Sequence, residues 1–178
     1  MRKVLLLCSS TDGQTRKICD RLRRILQDAG AAVTLTMIED AHAMSPAGFQ
    51  MAVVGARIRY GRTDAPVVEY ANRHAATLNA MPSAFFSVNI VARKPGKNLP
   101  ETNPYVQAFV RRVAWRPRLL DVFAGKLDYP RYGTVDRFVI RFIMWLTKGP
   151  TQADAVVDFT DWQRVEAFGQ ALCALPAA

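Results

Sequence analysis

The chain has 178 residues, half of them apolar, and a net charge of +9. That is the size of one ordinary domain, able to bury a full core without disulfides or structural metals. Three cysteines, Cys8, Cys19 and Cys173, make no C-x-x-C pair and, being odd in number, no disulfide framework, so a reducing compartment with free thiols is expected, and no stretch reaches the roughly 18 apolar residues of a membrane span.

Arg2 and Lys3 precede five apolar residues, Val4 to Cys8, which lead into a polar loop and not into a small-residue cleavage site. The run is therefore predicted as a first strand, 3–8, and not as a signal peptide. Further strands are predicted at 32–36, 51–56, 83–88 and 119–125. Each is a short run rich in Val, Leu, Ile or Phe, as in strands buried on both faces. Helices are predicted at 14–29, 66–78, 103–115 and 161–175. The first places Ile18, Leu22, Ile25 and Leu26 on one face and stops at Gly30. The last opens with Thr160 or Asp161 as its N-cap. Strands alternating with helices predict an α/β fold: a five-stranded parallel sheet with helices on both faces. In the order 2-1-3-4-5, ligands sit at the carboxyl ends of the strands, where the order reverses. Loops 9–15, 57–64 and 87–96 should then build the site of a single domain, 1–178.

One segment breaks the alternation. Residues 128–148 form an insertion after strand five, with a helix predicted over 134–148. Arg137, Arg141 and Lys148 share one narrow stripe on it, and bulky apolar residues occupy most other directions. Such a helix either packs on the domain or on a partner subunit or lies in a membrane interface, and the interface is the expectation, with turns at 130–133 and 149–150 setting the segment apart from the sheet. Charge points the same way. Residues 93–118 hold seven Lys or Arg against one Glu, residues 126–150 hold five against two Asp, and the remainder is neutral. A concentrated positive field favours an anionic partner. No nucleic-acid motif is present, and Tyr105, Phe109 and Trp115 fit the core side of a helix, so nucleic acid is not expected.

The loop after the first strand carries the chemistry. Ser9-Ser10-Thr11-Asp12-Gly13-Gln14-Thr15 joins a strand to a helix N-terminus, where outward backbone amides and the helix dipole favour an anion. Gly13 permits the close turn, and Ser10, Thr11 and Thr15 offer hydroxyls. The loop has no lysine, no G-x-x-x-x-G-K-[ST] and no G-x-G-x-x-G, which favours a monophosphate over a nucleotide triphosphate or a dinucleotide.

This loop resembles that of the flavodoxins, roughly [ST]-x-T-G-x-T, with Ser10, Gly13 and Thr15 matching and Asp12 departing. A narrower resemblance, to the bacterial quinone-dependent protoporphyrinogen IX dehydrogenases, spans nearly the whole chain. It rests on Asp12-Gly13-Gln14-Thr15, on Gly55-Ala56-Arg57-Ile58-Arg59-Tyr60-Gly61, on the string from Ser83 to Pro95, and on Tyr129-Pro130-Arg131-Tyr132. In that branch an Asp before the loop glycine is usual, and an insertion follows strand five.

The resemblance implies a flavodoxin-like fold and FMN-dependent oxidation of protoporphyrinogen IX to protoporphyrin IX in haem biosynthesis. Electrons would pass to menaquinone or ubiquinone, and the protein would sit in the cytoplasm, peripherally on the inner face of the membrane. FMN would lie on Ser10, Thr11, Asp12, Gly13, Gln14 and Thr15, with Ile58, Arg59, Tyr60 and Gly61 near its ring and Tyr60 able to stack on it. Ser87, Val88, Asn89, Ile90 and Arg93 complete the expected set, with backbone groups of Ser87, Val88 and Asn89 reaching the pyrimidine edge. Candidates for substrate propionates or lipid are Lys94, Tyr129, Arg131, Arg137, Phe138, Arg141, Phe142, Trp145 and Lys148, with Arg93 also a propionate candidate. The implied partners are the porphyrinogen, a quinone and an anionic membrane surface, with a homo-oligomer as a further candidate and no metal. No general base is assigned, because His42 and His74 fall away from the strand ends. Two alternatives stand beside this reading: a generic flavodoxin-like electron carrier, and an NAD(P)H:quinone reductase of the same fold.

Overall fold

The computed structural model of the chain describes residues 1–128, 138, 140, 141, 144, 145, 152 and 156–176. The strands are β1 (Lys3–Ser9), β2 (Ala32–Met37), β3 (Met51–Arg59), β4 (Arg62–Thr63), β5 (Ser83–Val88), β6 (Leu119–Phe123), β7 (Lys126–Asp128) and β8 (Val156–Asp158). The helices are α1 (Gln14–Asp28), α2 (Ala65–Arg73), α3 (Ala75–Ala80), α4 (Pro104–Arg112) and α5 (Trp162–Ala174).

Five parallel strands run in the order β2-β1-β3-β5-β6, which is the predicted arrangement. β4 folds back antiparallel on β3, and β7 pairs antiparallel with β8 in a small separate sheet. The central strands alternate between two cores because successive side chains point to opposite faces. Leu5, Leu7, Val54 and Phe85 meet Val67, Leu78, Phe109 and Trp115 from α2, α3, α4 and the segment after it. Val4, Leu6, Val53 and Phe86 meet Ile18, Leu22, Val165 and Leu172 from α1 and α5 on the other face. Gly55 is needed for close approach: a Cβ there would lie 2.2 Å from the Phe86 ring, which is fully buried across β3.

The helices depart from the predicted bounds where tertiary contacts intervene. The helix expected over 66–78 divides at His74 into α2 and α3. α4 starts after Asn103, whose side chain accepts from the Tyr105 and Val106 amides, and stops at Arg112. Beyond it the backbone is taken up by two asparagines, with Ala114 N donating to Asn72 Oδ1 and Arg116 N to Asn79 Oδ1. This seats Trp115 in the core, its Nε1 donating to Ser83 Oγ at 2.9 Å. The strand expected over 119–125 ends at Phe123, and Ala124-Gly125 bend the chain into β7.

Within the insertion, Phe138, Ile140, Arg141, Met144 and Trp145 are helical. Met144 is fully buried against Leu127, with Ile140, Ile90 and Phe159 around them. Ile140 and Met144, four apart, therefore dock one face of this helical segment on β7. Phe138 and Trp145 stay 76% and 67% exposed, and Arg141 is exposed beside them. The expected isolation from the sheet thus gives way to a segment anchored through one face. Tyr129, Arg131, Arg137, Phe142 and Lys148 lie outside the described residues. Among the described residues no helix is long and apolar enough to cross a membrane.

Candidate functional site

A cleft of about 370 Å³ opens at the carboxyl ends of β1, β3 and β5. This is where the chain leaves the sheet in opposite directions from β1 and β3, and open parallel sheets bind ligands there. Three loops and the β6–β7 bend form its walls.

The first wall is the loop from Ser10 to Thr15. Gly13 sits at φ 85° as the residue before α1, a left-handed conformation that glycine adopts without strain. Ser10, Thr11, Asp12, Gln14 and Thr15 line the cleft. Two polar atoms there, Ser10 Oγ and Gln14 Oε1, are shielded from solvent and have no hydrogen-bond partner among the described residues. The other end of the Gln14 amide is fully engaged. Nε2 donates to Thr160 Oγ1 at 2.8 Å and to the two Asp158 carboxylate oxygens at 3.1 and 3.2 Å. Thr160 Oγ1 in turn donates to Ala124 O at 2.8 Å. The start of α1 is thereby tied to β8 and to the bend after β6. Of the two cap candidates, Asp161 caps α5 by accepting from Arg164 N, and Thr160 serves Gln14 instead.

The second wall is the β3–β4 hairpin. Arg59 pairs with Arg62, leaving Tyr60 and Gly61 as a two-residue turn with φ 49° and 74°. Positive φ at both central residues is the type I′ pattern that matches strand twist. A tyrosine in this region costs about 1–2 kcal/mol, and it is 66% exposed at the cleft mouth with the Arg59 guanidinium 5.1 Å from its ring centroid. Below the hairpin, Arg57 also lines the cleft. Its Nε donates to Asp64 Oδ2 at 2.7 Å, and Ser9 Oγ donates to the same oxygen.

The third wall is Val88 to Val91. Asn89 lines the cleft there with its polar groups already engaged. Its backbone N donates to Phe123 O and its carbonyl accepts from Gly125 N, while its side chain holds Ser87 Oγ, Asn103 Nδ2 and the Ala92 amide. Asn89 is a brace that fixes the wall, so its amide is not open to a ring edge, and Ser87 lies behind it in β5. Tyr105, Gly125, Lys126, Leu127 and Ile140 close the far side.

Of the predicted residues, Ile58, Arg59, Tyr60, Gly61, Val88, Asn89 and Ile90 join the loop residues around this cleft. Gly13, Ser87, Arg93, Lys94, Phe138, Arg141 and Trp145 are not among its lining residues. Arg93 lies behind the wall, donating to Ile90 O at 3.3 Å with its guanidinium 5.8 Å from the Phe159 ring centroid. His42 and His74 are outside the cleft, as expected. Burial, and then the neighbouring Arg73, push the His74 pKa below the ordinary imidazole value. Sequence reasoning missed Arg57, Val91, Tyr105, Gly125, Lys126, Leu127 and Ile140 as lining residues. Arg57 and Val91 stood in loops expected to build the site, and the remainder are brought in by tertiary packing.

The donor set defines what fits. Ser10 offers a hydroxyl donor and Gln14 a carbonyl acceptor, so the ligand must present both acceptors and hydroxyl donors at the loop. A phosphate on a polyol chain has both. Tyr60, Tyr105, Val88, Leu127 and Ile140 supply walls suited to a planar ring.

The flavodoxin domain family matches residues 5–154. A Leishmania major protein named protoporphyrinogen IX dehydrogenase (quinone) is 42% identical over 177 residues, covering 99% of this chain and 77% of its own. An Escherichia coli (strain K12) protein of the same name is 40% identical over 173 residues, covering 97% and 96%. Two-electron reduced Megasphaera elsdenii flavodoxin superposes with a TM-score of 0.53 at 17% identity, covering 67% of this chain and 84% of its own, a likeness of fold. This chain therefore belongs to the flavodoxin family of flavin-binding proteins and, within it, to the quinone-dependent protoporphyrinogen IX dehydrogenases.

Proposed function

We propose that the chain holds FMN in this cleft and oxidises protoporphyrinogen IX to protoporphyrin IX, passing the electrons to menaquinone or ubiquinone at an anionic membrane surface. The observation that carries the reading is the pair of buried, unpartnered atoms at the loop, Ser10 Oγ and Gln14 Oε1, in a chain 40% identical over nearly its full length to quinone-dependent protoporphyrinogen IX dehydrogenases. Bound FMN supplies a two-electron acceptor that is regenerated by the quinone. The overall change removes six hydrogens from the macrocycle in three rounds, each reducing one quinone to a quinol.

The residues of the chain bind and orient. Ser10, Thr11, Thr15 and the first amides of α1 receive the phosphate. Gln14 Oε1 accepts from the polyol chain. The Ile90 and Val91 amides open the turn after β5, where a helical start leaves its donors without internal acceptors. They replace Asn89 at the pyrimidine edge. Tyr60 covers one face of the ring, and its fixed left-handed backbone keeps the aromatic group at the mouth where the apolar porphyrinogen enters. Arg59, which lines the cleft mouth, would pair with a propionate. Gain of aromaticity drives the oxidation, so no strong general base is required.

Phe138, Trp145 and Arg141 face away from the docked side of the insertion. Large apolar side chains entering lipid contribute about 1.5–3 kcal/mol each, and a cation near anionic headgroups about 1 kcal/mol. Ile140 links this exposed face to the cleft wall, giving a membrane quinone a short route to the flavin.

The test is an anaerobic assay of the purified protein with FMN, protoporphyrinogen IX and a quinone, followed by porphyrin fluorescence. Porphyrin formation that requires both FMN and quinone is expected. NADPH-driven quinone reduction with no porphyrin formed would replace this reading with the reductase.

A further inference from the structure

We propose that Arg57, held by Asp64, binds the phosphate of the flavin, so that this chain adds a cation to a loop of hydroxyls and amides. The inference rests on the FMN reading above. The Asp64 carboxylate is out of its usual role. Asp64 is the residue before α2, where an Asp side chain ordinarily accepts from the first helix amides, yet it makes no such bond. Its Oδ2 turns instead to Arg57 Nε and Ser9 Oγ. Ser9 is fully buried, and the Arg57 and Asp64 side chains are only 21% and 18% exposed. The arginine is therefore clamped at the base of the loop by a partly buried ion pair.

The clamp uses one of the five guanidinium donors. The four N–H groups on the two terminal nitrogens have no hydrogen-bond acceptor among the described residues. They form the planar fork that suits a phosphate. Register places them correctly. Ser9 pairs with Ala56, so Arg57 stands one residue further along β3, level with Ser10, the first residue of the loop. Arg57 and the loop residues line the same cleft. The Asp12 carboxylate also lines it, and a cation there offsets the repulsion that Asp12 would exert on a phosphate dianion.

The test compares FMN with riboflavin, which lacks the phosphate, by flavin-fluorescence titration of the full chain after flavin removal. The parent should bind FMN far more tightly than riboflavin. Arg57→Gln should weaken FMN 10- to 100-fold and leave riboflavin within 2-fold, and added NaCl should weaken FMN binding less in the variant than in the parent. Arg57→Lys, a point charge without the fork or the Nε clamp, should lower the FMN-to-riboflavin ratio at least 3-fold. It carries the test alone if the Gln variant does not fold. Equal weakening of both flavins would place Arg57 at the ring, and an unchanged ratio in either folded variant would remove it from the phosphate. Either outcome overturns the proposal while leaving the FMN reading in place. A parent that binds the two flavins equally overturns the FMN reading itself.

Discussion

Replacing Gln14 by Glu tests the tie between the loop and the end of β8. Gln14 is 7% exposed, and its Nε2 lies 2.8 Å from Thr160 Oγ1 and 3.1 and 3.2 Å from the Asp158 carboxylate oxygens. Glu supplies no donor when ionised and sets one carboxylate against another. A hydrogen bond to a charged group contributes about 1.5–3 kcal/mol. Two like charges 4 Å apart repel by about 4 kcal/mol at an effective dielectric constant of 20, and the exposure of Asp158 screens this to about 1 kcal/mol. The deficit is then about 3 kcal/mol, or roughly 6–12 °C in Tm for a chain of this size. Its pH dependence identifies the cause. Burial and a like charge raise the folded pKa of the new Glu above its unfolded value of about 4.3. Relative stability is retained below about pH 4.3 and lost as pH rises through the folded pKa, because a protonated carboxyl restores the donor. Thermal denaturation at pH 8 and pH 5 should therefore give a larger deficit at pH 8. Gln14→Met, which removes the hydrogen bonds without adding charge, should show the same deficit at both. Equal deficits for Glu at the two pH values would refute the Gln14–Asp158 contact.

Two further outcomes are expected. Thr15→Glu puts a carboxylate in the first turn of α1 at a position lining the cleft, where it suits the helix dipole but repels a phosphate. Flavin affinity should fall on the order of 100-fold or more, from a like-charge term of about 4 kcal/mol, with an unchanged circular dichroism spectrum. Full retention of the yellow colour would refute the placement of the phosphate. Changing Phe138 and Trp145 together to Ser should leave Tm nearly unchanged, since both are mostly exposed, but weaken binding to anionic vesicles at least 10-fold. Turnover should fall more with a long-tailed quinone than with a short soluble analogue. Unaltered vesicle binding would move the membrane contact to the basic stretch 93–118.

Much of the frame was legible because it is written locally. Strands such as Val4–Leu7 and Ala84–Phe86 are buried on both faces, so each is an unbroken apolar run that needs no partner to be recognised. Crossover handedness then leaves few orders for five such strands. The anion loop was equally legible, because a strand, a hydroxyl-rich turn with glycine and a helix start are contiguous in the chain. Asn89 shows the limit. A polar residue at a strand end reads as a ligand group, but its backbone and side chain are both used up by Phe123, Gly125 and Asn103, which sequence does not place beside it.

The insertion divides in the same way. Its composition announced an unusually apolar helix with a basic stripe, whereas the choice of which apolar residues are core depended on the neighbour: Met144 and Ile140 pack with Leu127, and Phe138 and Trp145 stay mostly exposed. What the sequence by itself determined was the sheet, its order, the strand–turn–helix loop at the cleft and the family, since these follow from burial patterns and short contiguous motifs. The tertiary structure alone decided which polar atoms remain for a ligand. Gln14 reaches Asp158 across 144 residues, and Ser9 and Arg57 converge on Asp64 from two strands. Hydrogen-bond satisfaction is a property of atoms that meet in space, and chain order does not record which atoms meet.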